Sequence, residues 1–77
     1  MTDTTVTDVV TDALVGFGCE REEITRAATF ESLDIDSLDL AELAQVIEER
    51  FGVVLKGSDV VTLKTLGDLI DLIVARA

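Results

Sequence analysis

Apolar residues recur at helical spacing in three separate stretches of this chain, and no two stretches read as a pair of strands. Val6, Val9, Val10, Ala13, Leu14 and Phe17 fall at i, i+3, i+4, i+7, i+8 and i+11, one stripe of an amphipathic helix. Leu40, Leu43, Ala44, Ile47 and Phe51 form a second stripe, and Leu66, Leu69, Ile70, Ile73 and Val74 a third. Proline is absent, so nothing in the chain forbids a helix outright. With 77 residues the chain makes one domain, spanning 1–77, near the lower limit for burying a useful core. Aromatics are only 4% of it, so Leu, Val, Ile and Ala must fill that core, which favours packed helices.

Local punctuation sets the expected boundaries. Thr5 with Asp8 resembles a capping box and Gly18 sits where a C′ glycine would, giving a first helix over about 5–17. Residues 18–36 have weak periodicity and read as a long connection with a helical turn near Glu22–Ala28. Phe30 and Leu33 are its expected anchors. Asp36 is the natural N-cap of a second helix over about 37–51, with Gly52 closing it and Ser37 as its first residue. Val53-Val54-Leu55 has no strand to pair with and reads as a packed connection. Ser58 and Asp59 are expected to cap a short third helix through Val60 and Val61. Thr65 and Asp68 open the last helix as a capping box.

Six basic side chains face sixteen acidic ones, a net charge of −10. A nucleic-acid binder needs a basic footprint, and an anionic membrane surface would repel this chain. Opposite fields raise association rates, so the balance suits basic protein partners. The N-terminus has neither a basic nor an apolar leader segment, and no stretch approaches a membrane span. Cys19 is the only cysteine, so no internal disulfide or thiolate metal cluster forms, and a cytoplasmic location is expected.

What is missing also narrows the function. Without histidine there is no catalytic triad, imidazole base or histidine metal ligand. No glycine-rich loop precedes the second helix. The run Asp34-Ile35-Asp36-Ser37-Leu38-Asp39 hints at a calcium loop, but Leu38, Asp39 and Gln45 occupy its required ligand, glycine and glutamate positions. Neither catalytic residues nor metal ligands are assigned, and the chain is expected not to be an enzyme. Cys19 has no basic neighbour except Arg21 and reads as a loop cysteine without a role.

Ser37 is the residue with a chemical opportunity. Its plain reading is an ordinary polar residue in a helical first turn. A phosphodiester placed there, however, would meet free backbone N–H groups and the positive end of the helix dipole. Glu31, Asp34, Asp36, Asp39, Glu42, Glu48 and Glu49 surround it with no Lys or Arg between residues 31 and 49. Leu38, Ala41, Glu42, Gln45, Glu48 and Glu49 lie off the core stripe and face outward, as a docking face or as a merely solvated one.

The segment Phe30-Glu31-Ser32-Leu33-Asp34-Ile35-Asp36-Ser37-Leu38-Asp39 resembles the modification site of acyl carrier proteins, with Asp-Ser-Leu at the head of a helix. The resemblance continues through Glu42-Leu43, Ile47-Glu48-Glu49-Arg50-Phe51-Gly52 and Thr65-Leu66-Gly67-Asp68-Leu69, essentially the whole chain. It implies an all-α four-helix bundle, three main helices plus one short one, acting as a freestanding monomeric carrier. It implies 4′-phosphopantetheine on Ser37, installed from coenzyme A by a phosphopantetheinyl transferase, with acyl groups held as thioesters in polyketide or fatty-acid-type biosynthesis. Asp36, Asp39, Glu42, Glu48 and Glu49 would meet the basic surfaces of ketosynthase-type and other acyl-processing enzymes, and Leu38 and Ala41 would add apolar contact. Many housekeeping members have Gly where this chain has Asp34, and an Ile-Pro-like turn where it has Leu55-Lys56. Those departures point toward a specialised pathway. Alternatives are an aminoacyl or peptidyl carrier and, in another class, an acidic helical adaptor without a prosthetic group.

Overall fold

A computed structural model describes residues 3–77. Four α-helices follow in order: α1 (Asp3–Gly16), α2 (Ser37–Phe51), α3 (Gly57–Thr62) and α4 (Leu66–Arg76). Among the described residues there is no strand, only an isolated antiparallel bridge between Thr29 and Thr65.

In α1 the apolar stripe turns Val6, Val10 and Leu14 fully inward. Thr5 lies inside this helix, so the expected cap there is corrected; Asp3, Thr4 and Thr5 contain no breaker, and helix continues through them. The other end matches expectation. Gly18 has φ +104°, its N–H donates to the Val15 carbonyl at 3.0 Å, and the Cys19 N–H donates to the Leu14 carbonyl at 3.1 Å. This is the paired-bond motif in which a left-handed glycine satisfies orphan carbonyls.

The long connection holds a single 3₁₀ turn at Arg21–Glu23, shorter than the turn expected near 22–28. Leu33 is buried and Phe30 half-buried against the core, so both anchors are in place. A stronger fastening comes from backbone groups. The Leu66 N–H donates to the Ala28 carbonyl at 2.8 Å, and the Gly67 N–H donates to the Arg26 carbonyl at 2.9 Å. The loop thus satisfies two of the orphan donors in the first turn of α4. Gly67 eases that approach, because a Cβ there would sit 3.0 Å from the Arg26 carbonyl oxygen, tighter than ordinary van der Waals contact.

α2 has the expected bounds and caps. The Asp36 carboxylate accepts from the Asp39 N–H at 2.9 Å, and Gly52 closes the helix in the left-handed region at φ +69°. Val53 follows as a buried connection. α3 corrects the expected caps: Ser58 and Asp59 lie within it, and Lys56 is the N-cap residue. Asp59 reaches back from inside the helix to accept from the Lys56 N–H at 3.1 Å, which an aspartate at the third helical position can do. In α4 the Thr65–Asp68 box closes as expected, each side chain accepting from the other's N–H at 3.2 Å.

α1 packs against α2 and α4. Leu66, Leu69, Ile70 and Ile73 of α4 are all buried, each stabilising by about 1.5–3 kcal/mol relative to exposure. α3 contributes no fully buried residue. It is a thin wall laid against the bundle beside the head of α2.

Candidate functional site

The head of α2 is built by its cap. Asp36 is extended, its side chain is engaged by Asp39, and its carbonyl accepts the first helical bond from Leu40 at 3.0 Å. Ser37 therefore begins the helix with its side chain exposed. The N–H groups of Ser37 and Leu38 have no partner among the described residues, as expected for the first turn. An exposed hydroxyl beside two free donors at the positive end of a helix is a setting in which a phosphodiester fits.

Behind Ser37 opens a groove of about 450 Å³ between α2 and α3. Leu40, Ala41, Ala44, Leu55 and Val60 make it mainly apolar, Gly57 leaves room at its edge, and Lys56 is its one cation. Sequence spacing showed Ala44 as core and Ala41 as outward. In the folded chain both face this groove.

On the other side of the helix head lies a smaller recess of about 160 Å³, lined by Cys19, Glu23, Asp34 and Asp39 among others. The Cys19 thiol donates to the Leu33 carbonyl at 3.6 Å. Burial pushes its pKa up, and Asp39, Glu23 and Asp34 raise it further. The thiol stays protonated, which suits packing and not acyl acceptance.

Asp34 has φ +55°, left-handed backbone that glycine adopts freely. Aspartate is one of the few other residues tolerated there. The turn that presents Asp36 and Ser37 thus keeps the geometry a glycine would give, with a carboxylate added.

The predicted docking residues are distributed as follows. Leu38 is 68% exposed, and Asp36, Ala41, Glu42, Glu48 and Glu49 are exposed. Asp39 is half-buried and turned toward the Cys19 recess. The ion pairs of the described residues join Arg21 to Asp12, Arg26 to Asp3 and Asp71, and Arg76 to Asp59. Every one lies outside residues 31–49, so the seven carboxylates of that segment have no ionic partner among the described residues.

Sequence reading missed the groove and the Arg76–Asp59 pair. Both join residues from separate elements, and periodicity within one element carries no signal for them.

The family model described as phosphopantetheine attachment site matches residues 6–73. The acyl carrier proteins of Lactococcus lactis subsp. cremoris strains MG1363 and SK11 are each 40% identical to the chain over 65 residues. Those alignments cover 84% of this chain and 82% of each relative.

Proposed function

The chain belongs to the acyl carrier proteins, a family of carriers rather than enzymes that bears a phosphopantetheine prosthetic group, and on that premise we propose that Ser37 is the attachment point. When attached, the arm supplies a terminal thiol on which acyl groups are carried as thioesters. The observation that carries this reading is the exposed Ser37 hydroxyl at the head of α2, beside two free N–H donors and at the mouth of the apolar groove. The free N–H groups of Ser37 and Leu38 would stabilise the phosphodiester. Asp36 holds the helix head open by taking the Asp39 N–H itself. Leu40, Ala41, Ala44 and Val60 would shelter the apolar part of a bound acyl chain.

The partners are a phosphopantetheinyl transferase and acyl-processing enzymes. Glu42, Glu48 and Glu49, exposed and unpaired, would meet basic side chains on these enzymes, with Asp36 and Asp39 nearer the serine and Leu38 and Ala41 as apolar contacts. We place the carrier in polyketide or fatty-acid-type synthesis in the cytoplasm, as one domain over 1–77. No helix is long and apolar enough to cross a membrane, among the described residues.

Intact mass after incubation with coenzyme A and a broad-specificity transferase tests the assignment. One phosphopantetheinyl group should be added to wild type and none to Ser37→Ala, with the helical circular dichroism of the two proteins alike. Addition to Ser37→Ala, or mapping of the group to Ser32 or Ser58, would refute it.

A further inference from the structure

α3 forms one wall of the groove, yet it has no fully buried residue to hold it there. Its main polar tether comes from the far end of α4. Arg76 donates to Asp59 through both guanidinium nitrogens, at 2.9 and 2.8 Å, and also to the Val54 carbonyl at 3.4 Å. The two acceptors bracket the segment 54–59, and Leu55, Lys56 and Gly57, all groove-lining, lie between them. Asp59 in addition accepts from the Lys56 N–H at 3.1 Å, so one carboxylate joins the start of α3 to the end of α4. The Asp59 side chain is only 18% exposed, against 41% for Arg76, so this pair is better shielded from water than the other ion pairs. A bidentate guanidinium–carboxylate contact fixes orientation as well as distance.

We propose that Arg76 is a positioning residue that sets the α3 wall of the groove, and so controls how closely a Ser37-linked acyl chain is sheltered. This rests on the reading that the groove receives that chain. Without Arg76, the segment 54–59 keeps its local bonds and the partial packing of Leu55 against the core, and the wall is freer to swing from α2. Arg26 provides an internal control. It makes a similar two-oxygen contact with Asp71, at 2.8 and 2.9 Å, but touches no groove residue.

The test uses full-length protein carrying octanoyl-phosphopantetheine, transferred from octanoyl coenzyme A, against the same protein with the unacylated arm. In wild type, octanoylation should shift the methyl resonances of Ala41, Ala44 and Val60. In Arg76→Gln those shifts should fall by half or more, and amide exchange of Val60 to Leu63 should accelerate roughly two- to fivefold, as for loss of a partly exposed ion pair. Arg76→Lys, which keeps charge but loses the fork, should fall between the two. Arg26→Gln should leave both readouts at wild-type values, and loading of Ser37 should be complete in every variant. Wild-type shifts that persist in Arg76→Gln, or that Arg26→Gln reduces equally, would overturn the positioning role alone. No shift in wild type would overturn the groove reading, and the positioning role with it.

Discussion

α2 and α3 face each other across the same groove and are held by different forces. α2 buries Leu43 and Ile47 completely, and residues at its own ends cap it: Asp36 at the start, and Gly52 in left-handed conformation at the close. α3 has six residues and no fully buried one; Val61 on its outer side is 84% exposed, and its main polar anchor to the bundle is a guanidinium from another helix. A helix this short is marginal in water without tertiary support. The contrast suits a carrier. The helix that carries Ser37 is held by buried side chains and its own caps, while the wall across the groove is held by partly buried side chains and one ion pair.

Substitutions along the two helices should reproduce this contrast. Leu43→Ala should lower stability by about 2–5 kcal/mol, as for a buried leucine truncated in a tight core. Val61→Ala in α3 should change it by less than about 0.5 kcal/mol. Denaturant melts of both variants measure the gap, and a comparable loss in each would mean that α3 is as integral to the core as α2.

The loop that leads to α2 gives the next largest effect. Gly67→Ala would favour an isolated helix by about 1 kcal/mol. Here the new Cβ meets the Arg26 carbonyl oxygen at 3.0 Å, a backbone atom that cannot move aside cheaply. A net destabilisation of about 1–3 kcal/mol is expected, the range of overpacking. A rise in the unfolding midpoint would show that the loop is not docked on α4 as described.

Acid should act on the α3 side. The Arg76 guanidinium, then the Lys56 N–H, hold the Asp59 carboxyl down at about 2, from an ordinary value of 3.8. A depressed folded-state pKa contributes stability above the unfolded value and loses it as pH falls through the folded one. The difference in melting temperature between wild type and Asp59→Asn should therefore be full above pH 3.8 and close as pH falls toward 2. Asp68 is also lowered, by the Thr65 and Lys64 N–H groups, but it is common to both proteins and cancels. A difference independent of pH in that window would show that the tether is not ionic.

Salt should distinguish the unpaired acids around α2 from the paired ones elsewhere, with the smallest effect on stability. Screening relieves repulsion among the carboxylates of residues 31–49 and weakens their attraction to basic partners. Melting temperature should rise slightly with salt while the rate of phosphopantetheinylation falls. Glu42→Lys should slow modification severalfold at low salt, with stability changed by less than about 0.5 kcal/mol. Equal modification rates for wild type and Glu42→Lys would identify the face as a solvated surface alone.

Much of this molecule was legible along the chain. The bounds of α2, the left-handed glycines at 18 and 52, and the Thr65–Asp68 box are decided within a few residues, because capping and helical spacing are local. Where the reading slipped, at Thr5 and at Ser58–Asp59, a plausible cap lay one or more residues inside the helix, and local preference could not discriminate between neighbouring starts. Ser37 and the acids around it were legible because one helix start and one outward face define them. The docking of Arg26 and Ala28 on α4, the groove shared by Ala41, Ala44 and Val60, and the Arg76–Asp59 contact were decided only when the helices packed. Such contacts join residues 16 or more positions apart, where periodicity has no reach and only the tertiary structure brings the side chains together.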